Sequence, residues 1–478
     1  MTAADHRPAS TLSLWDAVSL IVGIVVGVSI YEAPPLIFAN SPSPFAGLGF
    51  WFLGGMISFV GALIYAELAT TYPRCGGEYN YLTRAYGPWL GFLFAWGQLV
   101  IIQTGSIGAM AYIFAGYAIK FLGSYTDDVP ALTVDALPWL ATLAVVSLTT
   151  INLLGLRAGA RVQNTLTIVK IVGLTAIVVA GFTAGSGDPW TATPSSGGGP
   201  GWTLAVVLVL YAYGGWSDAA FVAAEVRDVN RNVPRALLLG MGLITVAYLV
   251  INLAYLYGLG ADGLIASQQP AADVLKQLCG PVGERLMSGL VVASALGGMN
   301  GLILSASRVH VMLGQDYRLF AWLGQWSRNG APWTSLLLQA AVTIAMILTV
   351  GTEAGRQAID FGVHAVGLPA IGWAEYRGGF STLVAGSAPA FWLFFLLNAV
   401  GFLILRVRDA DRPRPFRVPG SPVTPLIFIA ACGFMLYSAA DYAKTLTPVM
   451  AVPLLCGVPV YLLCRGYEAI EKRSRNEL

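Results

Sequence analysis

The chain has 478 residues, 56% of them hydrophobic and only 11% charged, with a mean hydropathy of +0.68. An ordinary soluble domain is about a quarter charged, so this composition belongs to an all-α polytopic membrane protein. The 27 Lys and Arg nearly balance the 25 Asp and Glu, leaving a net charge of +2 and no basic face for nucleic acid. Cys75, Cys279, Cys432, Cys456 and Cys464 show neither metal-ligand nor disulfide spacing and read as small hydrophobes.

A bilayer core needs roughly 20 apolar residues per helix. Scanning for such runs predicts twelve transmembrane segments, at 13–39, 45–71, 89–118, 137–154, 162–182, 202–224, 235–258, 284–308, 332–350, 389–406, 423–440 and 448–464. The first, at about 25 residues, is too long for the apolar region of a signal peptide, so no cleavable signal is expected. Most of the positive residues, with Arg406, Arg408, Arg412, Arg414 and Arg417 between segments 10 and 11, fall in alternate loops that share a side with both termini. The positive-inside rule makes that side the cytoplasm, with tails at 1–12 and 465–478. Gly185 to Pro189 and Pro194 to Gly201 are flexible outer connectors. The connection 351–388 carries Glu353, Arg356, Asp360, His364, Glu375 and Arg377 and reads as either a surface helix or a re-entrant one.

Segments 1 and 6 are interrupted. The run Gly23 to Pro35 places Gly27, Ser29, Glu32 and the pair Pro34-Pro35 at mid-span, and Tyr211 to Asp218 places Gly214-Gly215, Trp216 and an acid at mid-span. Proline removes a backbone donor and glycine admits close approach. Inside a membrane such breaks survive only when buried in protein or lining a cavity, and in transporters they mark the substrate site. They head two consecutive five-helix sets, 13–182 and 202–406, as a five-plus-five inverted repeat would require, with 423–464 as two extra helices. Each break exposes free N–H groups at one half-helix and free carbonyls at the other. A zwitterion fits both, its carboxylate near the amides of Val28, Ser29 and Ile30, its amine near carbonyls around Ile24, Val25, Tyr211 and Ala212.

The stretch Glu67-Leu68-Ala69 through Pro73-Arg74-Cys75-Gly76-Gly77-Glu78-Tyr79 to Gly87-Pro88 resembles the helix 2–3 signature of the amino acid-polyamine-organocation (APC) superfamily. Tyr211 to Trp216 with Glu225 and Arg231-Asn232-Val233-Pro234-Arg235 resembles its helix 6 signature. Leu296 to Asn300-Gly301 with Ser307-Arg308, and Pro413 to Gly420, agree, and the likeness is closest to the L-amino-acid-transporter-like branch. The resemblance implies an alternating-access carrier of amino acids or related amines. It also implies Tyr211 as the gating aromatic, Trp216 just beyond it, and Asn300 as a polar helix 8 residue near the site. Lys170, at the centre of segment 5, costs roughly 2.5–3.5 kcal/mol to insert and is rarely kept without a use. It resembles the family's fixed replacement for a bound sodium ion, bridging carbonyls near Gly23 and Ile24 to helix 8, and is also a candidate proton carrier.

Several residues depart from the pattern. The family's helix 1 break usually reads G-S-G-I-F, whereas this chain has Gly27-Val28-Ser29-Ile30-Tyr31. Glu32 and Asp218 are absent from the common neutral amino acid pattern; they fit a second positive group on the substrate, a coupling proton, or a local role in an aqueous vestibule. His310 and His364 read as loop-side, solvated or capping residues, and Glu67, Glu78, Glu225 and Arg235 as contacts ordering the cytoplasmic loops. No H-E-x-x-H or nucleotide-binding motif is present, and no cofactor is expected. The competing functions are a sodium-independent amino acid transporter running by proton symport or exchange, a polyamine carrier, and an amino acid sensor without net transport.

Overall fold

The computed structural model of the chain describes residues 12–123, 136–185, 187–191, 201–369, 371–373 and 379–476. The tail before Leu12, the connector from Pro194 to Pro200, and Glu375 and Arg377 lie outside them. Among the described residues every regular element is helical, and β pairing is confined to one bridge between Leu12 and Val226. Ten helices among the described residues are long and apolar enough to cross a membrane, and two shorter apolar ones, Leu14–Val25 and Leu137–Leu153, fill the first and fourth places of the predicted twelve.

The first segment is three pieces: α1 (Leu14–Val25), α2 (Ser29–Glu32) and α3 (Pro34–Ala39). A capping box starts α1, with Ser13 and Asp16 bonding each other's amides at 3.2 and 2.8 Å, and Asn164 of the fifth segment donating to Asp16 at 2.7 Å. Next come α4 (Pro44–Thr71), the short α5 (Glu78–Tyr86) outside the spans, and a third segment of α6 (Pro88–Gly97), a π turn (Gln98–Ile102) and α7 (Gln103–Gly123). The fourth and fifth segments are α8 (Leu137–Leu153) and α9 (Leu156–Thr183). The sixth is α10 (Trp202–Ala212) followed, after the break, by a 3-10 helix (Trp216–Glu225).

The second half contains α11 (Val229–Ala266), α12 (Pro270–Cys279), α13 (Val282–Asp316), a 3-10 turn (Arg318–Gly324), α14 (Trp333–Gly351), α15 (Glu353–Ala365) and α16 (Gly379–Arg408). The last two segments are α17 (Val423–Ala443) and then α18 (Leu446–Leu455) with α19 (Gly457–Asn476). Three expectations change. Within 351–388, α15 is a mostly exposed surface helix with only Val363 buried, while the residues from Gly379 already belong to the tenth segment. The twelfth segment is divided near Cys456, and α19 carries the helix well into the expected tail. His310 lies inside α13 and is fully buried, because that helix runs eight residues past the predicted 308; its two ring nitrogens have no partner among the described residues.

One end of the bundle is tied by buried ion pairs. Glu67 takes Arg406 in a two-pronged bond (2.9 and 2.6 Å) together with the Val418 amide at 2.6 Å, and Glu225 takes Arg308 the same way at 2.8 and 3.1 Å. Arg84 and Tyr72 both bond Asp409, and Arg74 and Tyr79 both bond Asp316. Arginines of the run between the tenth and eleventh segments therefore close loops onto helix ends. Arg235 is exposed on the first turns of α11.

Candidate substrate site

Both interruptions are real and they meet. In the first, α1 stops at Val25 and Val26 leaves helical geometry (φ −72°, ψ 86°). In the second, Gly215 adopts φ +97°, open to glycine at little cost, and a Cβ placed there would come within 2.6 Å of Ile24 Cγ2. The two breaks thus touch through a position where only hydrogen fits.

The carbonyls of the first break are claimed. Lys170, fully buried on α9, donates from Nζ to Gly23 O at 2.6 Å and Val26 O at 2.9 Å. Tyr248 of α11 places its hydroxyl 2.9 Å from Val25 O and 3.2 Å from Ala212 O, so its single proton is shared between one carbonyl of each break. In an uninterrupted helix Gly23, Val25 and Val26 would receive the N–H groups of Gly27, Ser29 and Ile30, four residues on. With Lys170 and Tyr248 in their place, the amides of Gly27, Val28, Ser29 and Ile30 make no backbone hydrogen bond among the described residues, and Ile24 O is likewise left without a partner. Lys170 reaches helix 8 at Gly297 of α13, where an added Cβ would lie 2.9 Å from its Cε.

A cavity of about 120 Å³ lies against both breaks. Of the expected binding residues, Ile24, Val25, Gly27, Ser29, Tyr211, Ala212 and Gly214 line it, as does Asp218. Val28 and Ile30 do not: their side chains are buried on the far side of the break, although their amides stay unpaired. Trp216 is turned away into an aromatic packing site with Tyr65, Phe395 and Phe428. Glu32 sits off the cavity, exposed, accepting from Tyr117. Asn300 is also off it, donating to Gly159 O and Gln163 at 3.1 and 2.9 Å and accepting from Asn152 at 2.8 Å, a polar tie between α13, α8 and α9.

The remaining wall escaped the sequence reading. Gln103 and Ser106 face the cavity from α7, and Phe380, Val384, Ser387, Phe391 and Trp392 from α16. Gln98, Gln103 and Ser106 in one span were the available signal, since polar side chains at bilayer depth are rare. Nothing in the sequence singled out Tyr248, because tyrosine in a membrane helix reads as an interfacial anchor. Outside the spans, Glu78 is buried and accepts from Tyr65 at 2.6 Å; burial, reinforced by the nearby Asp218 charge, pushes its carboxyl up to about 8. No cluster of His, Cys, Asp and Glu fit to hold a metal occurs among the described residues.

A cavity between two broken membrane helices, with free amides on one side and a buried acid on the other, defines a carrier of small polar solutes. The chain belongs to the amino acid permease family, which it matches over residues 12–457, within the APC superfamily, and that is a family of transporters and not of enzymes. It is 26% identical over 466 residues to the serine/threonine exchanger SteT of Bacillus subtilis, covering 96% of this chain and 98% of that one. It is 28% identical to the b(0,+)-type amino acid transporter 1 of Mus musculus, over 89% and 81% of the two chains, and 26% identical to the cystine/glutamate transporter of Homo sapiens, over 95% and 84%.

Proposed function

We propose that this protein carries amino acids across the cell membrane by alternating access, without sodium, as an exchanger or proton symporter. Its two five-helix repeats, 13–182 and 202–406, would be related by inversion, and both termini would be cytoplasmic. The observation that carries the reading is the Lys170 ammonium on the Gly23 and Val26 carbonyls. A covalently fixed cation does there what a bound sodium ion would do, so the break stays open with no ion to load. The substrate carboxylate then takes the unpaired amides from Gly27 to Ile30, where dipole and donors favour an anion. The amine meets the Ile24 carbonyl, since those of Val25, Tyr211 and Ala212 already accept hydrogen bonds. The likeness to SteT, a serine/threonine exchanger, favours exchange over symport.

Uptake into proteoliposomes tests this with labelled amino acids, with or without sodium, an inward proton gradient, or internal substrate. Sodium-insensitive uptake that is stimulated by preloaded amino acid is expected. A strict sodium requirement, or binding with no uptake under any gradient, would overturn it.

A further inference from the structure

Asp218 is the only charged side chain among the described residues that line the cavity, and it is 3% exposed. Of the other buried carboxylates, Glu67 pairs with Arg406 and Arg414, Glu225 pairs with Arg308, and Glu78, off the cavity, accepts from Tyr65, whereas Asp218 has no ion pair among the described residues and one hydrogen bond, from Gln103 Nε2 at 3.0 Å. That bond fixes the amide's orientation, because reversing it would set two oxygens together. Gln103 therefore turns Oε1 the other way, and that atom is buried without a partner. The side-chain groups left open on the cavity side of this corner are acceptors, a carboxylate and an orphan amide oxygen, and Ile102, Met110, Val384 and Phe391 line the same cavity with apolar surface. A buried acceptor without a donor costs about 1–3 kcal/mol, more for a charge, so the arrangement calls for a cationic, many-donor group arriving with the ligand.

We infer that Asp218 and Gln103 form the side-chain subsite of the transported amino acid, and that it takes a side chain ending in an ammonium or guanidinium group, of the lysine, ornithine or arginine type. The inference rests on the amino acid reading above. The carboxylate end sits at the helix 1 amides, the methylene stem runs along the apolar wall, and the terminal cation pairs with Asp218 while donating to Gln103 Oε1.

Three compounds separate the parts: lysine, norleucine, which lacks the terminal ammonium, and cadaverine, which lacks the carboxylate. In proteoliposomes holding the full chain, the wild type should take up lysine about tenfold or more faster than norleucine. Asp218→Asn should lower that ratio about tenfold or more, the scale expected when one partner of a buried charge pair is removed, and Asp218→Glu should retain much of it. Norleucine moving as well as lysine in the wild type, a comparison that needs no variant to fold, overturns the subsite and leaves amino acid transport standing. So does an unchanged ratio in folded Asp218→Asn. Cadaverine moving as well as lysine supports the cationic subsite and overturns the carboxylate reading on which it was built.

Discussion

Replacing Lys170 by methionine should leave the protein folded and nearly abolish transport. The ammonium makes two charge-assisted hydrogen bonds, at 2.6 and 2.9 Å, worth about 1.5–3 kcal/mol each, and holding it at bilayer depth costs about 2.5–3.5 kcal/mol. Methionine removes both contributions, so the net change in stability is no more than about 3.5 kcal/mol. The break has no such compensation. Without Nζ, the Gly23 and Val26 carbonyls regain partners only by taking the amides of Gly27 and Ile30, which joins α1 to α2 and withdraws the donors from the substrate. Two stranded carbonyls at about 1–2 kcal/mol each favour that continuous helix by about 2–4 kcal/mol, enough to lower the binding-competent fraction and uptake about 30- to 700-fold. Thermal unfolding in detergent and uptake at several substrate concentrations measure the two effects separately. If folded Lys170→Met keeps uptake within about threefold of wild type, the break does not depend on the lysine and the reasoning fails.

Tyr248→Phe is the milder version: it frees Val25 O for the Ser29 amide, so KM should rise severalfold, about 1 kcal/mol for one neutral hydrogen bond, with little change in the unfolding temperature. Gly215→Ala combines a left-handed φ of +97° with a contact of 2.6 Å to Ile24; it should separate the breaks and cut uptake by an order of magnitude or more, about 1–2 kcal/mol coming from the backbone alone. Arg308→Leu leaves Glu225 buried without a cation and should cost about 3–5 kcal/mol, visible as poor recovery of folded protein, while Glu225→Leu with Arg308→Leu recovers much of it. Glu78, held protonated in the fold up to about 8 and ionised above its ordinary 4.5 when unfolded, binds more proton folded than unfolded between those values. Stability of the wild type should therefore fall as pH rises from about 5 to 8, by up to about 1.4 kcal/mol per unit, and Glu78→Gln should flatten that slope.

What the sequence revealed is what lipid makes expensive. Glycine pairs, prolines and acids at mid-span exposed the two breaks, and Lys170 stood out for its insertion cost alone. The rest depends on helical phase, which local composition does not carry. A π turn at Gln98–Ile102 adds a residue to the third segment, rotating all that follows by roughly 100°, and this is how Gln103 and Ser106 come to face the cavity. The start of α16 lay hidden because Gly379 to Ala388 is less apolar than the residues after it, so a wall of the site was read as loop. Asn300 and Trp216 were placed near the site by family position; in this chain Asn300 spends its amide on Gly159, Gln163 and Asn152, and Trp216 packs behind the break.

The two breaks are thus unequal, and the inequality gives the site a direction. The helix 1 break has a cation built in at its carbonyl end, so what remains open there is a set of donors suited to an anion. The helix 6 break leads to Asp218, which has no cation partner among the described residues, so the side-chain groups left open there, the Asp218 carboxylate and Gln103 Oε1, are acceptors. A substrate that is zwitterionic at one end and neutral at the other would satisfy only the first. If Asp218 instead carried the coupling proton, protonation would supply its missing donor and neutral side chains would suit the corner. Lysine against norleucine decides between these, because the first state needs the charge on the ligand and the second excludes it.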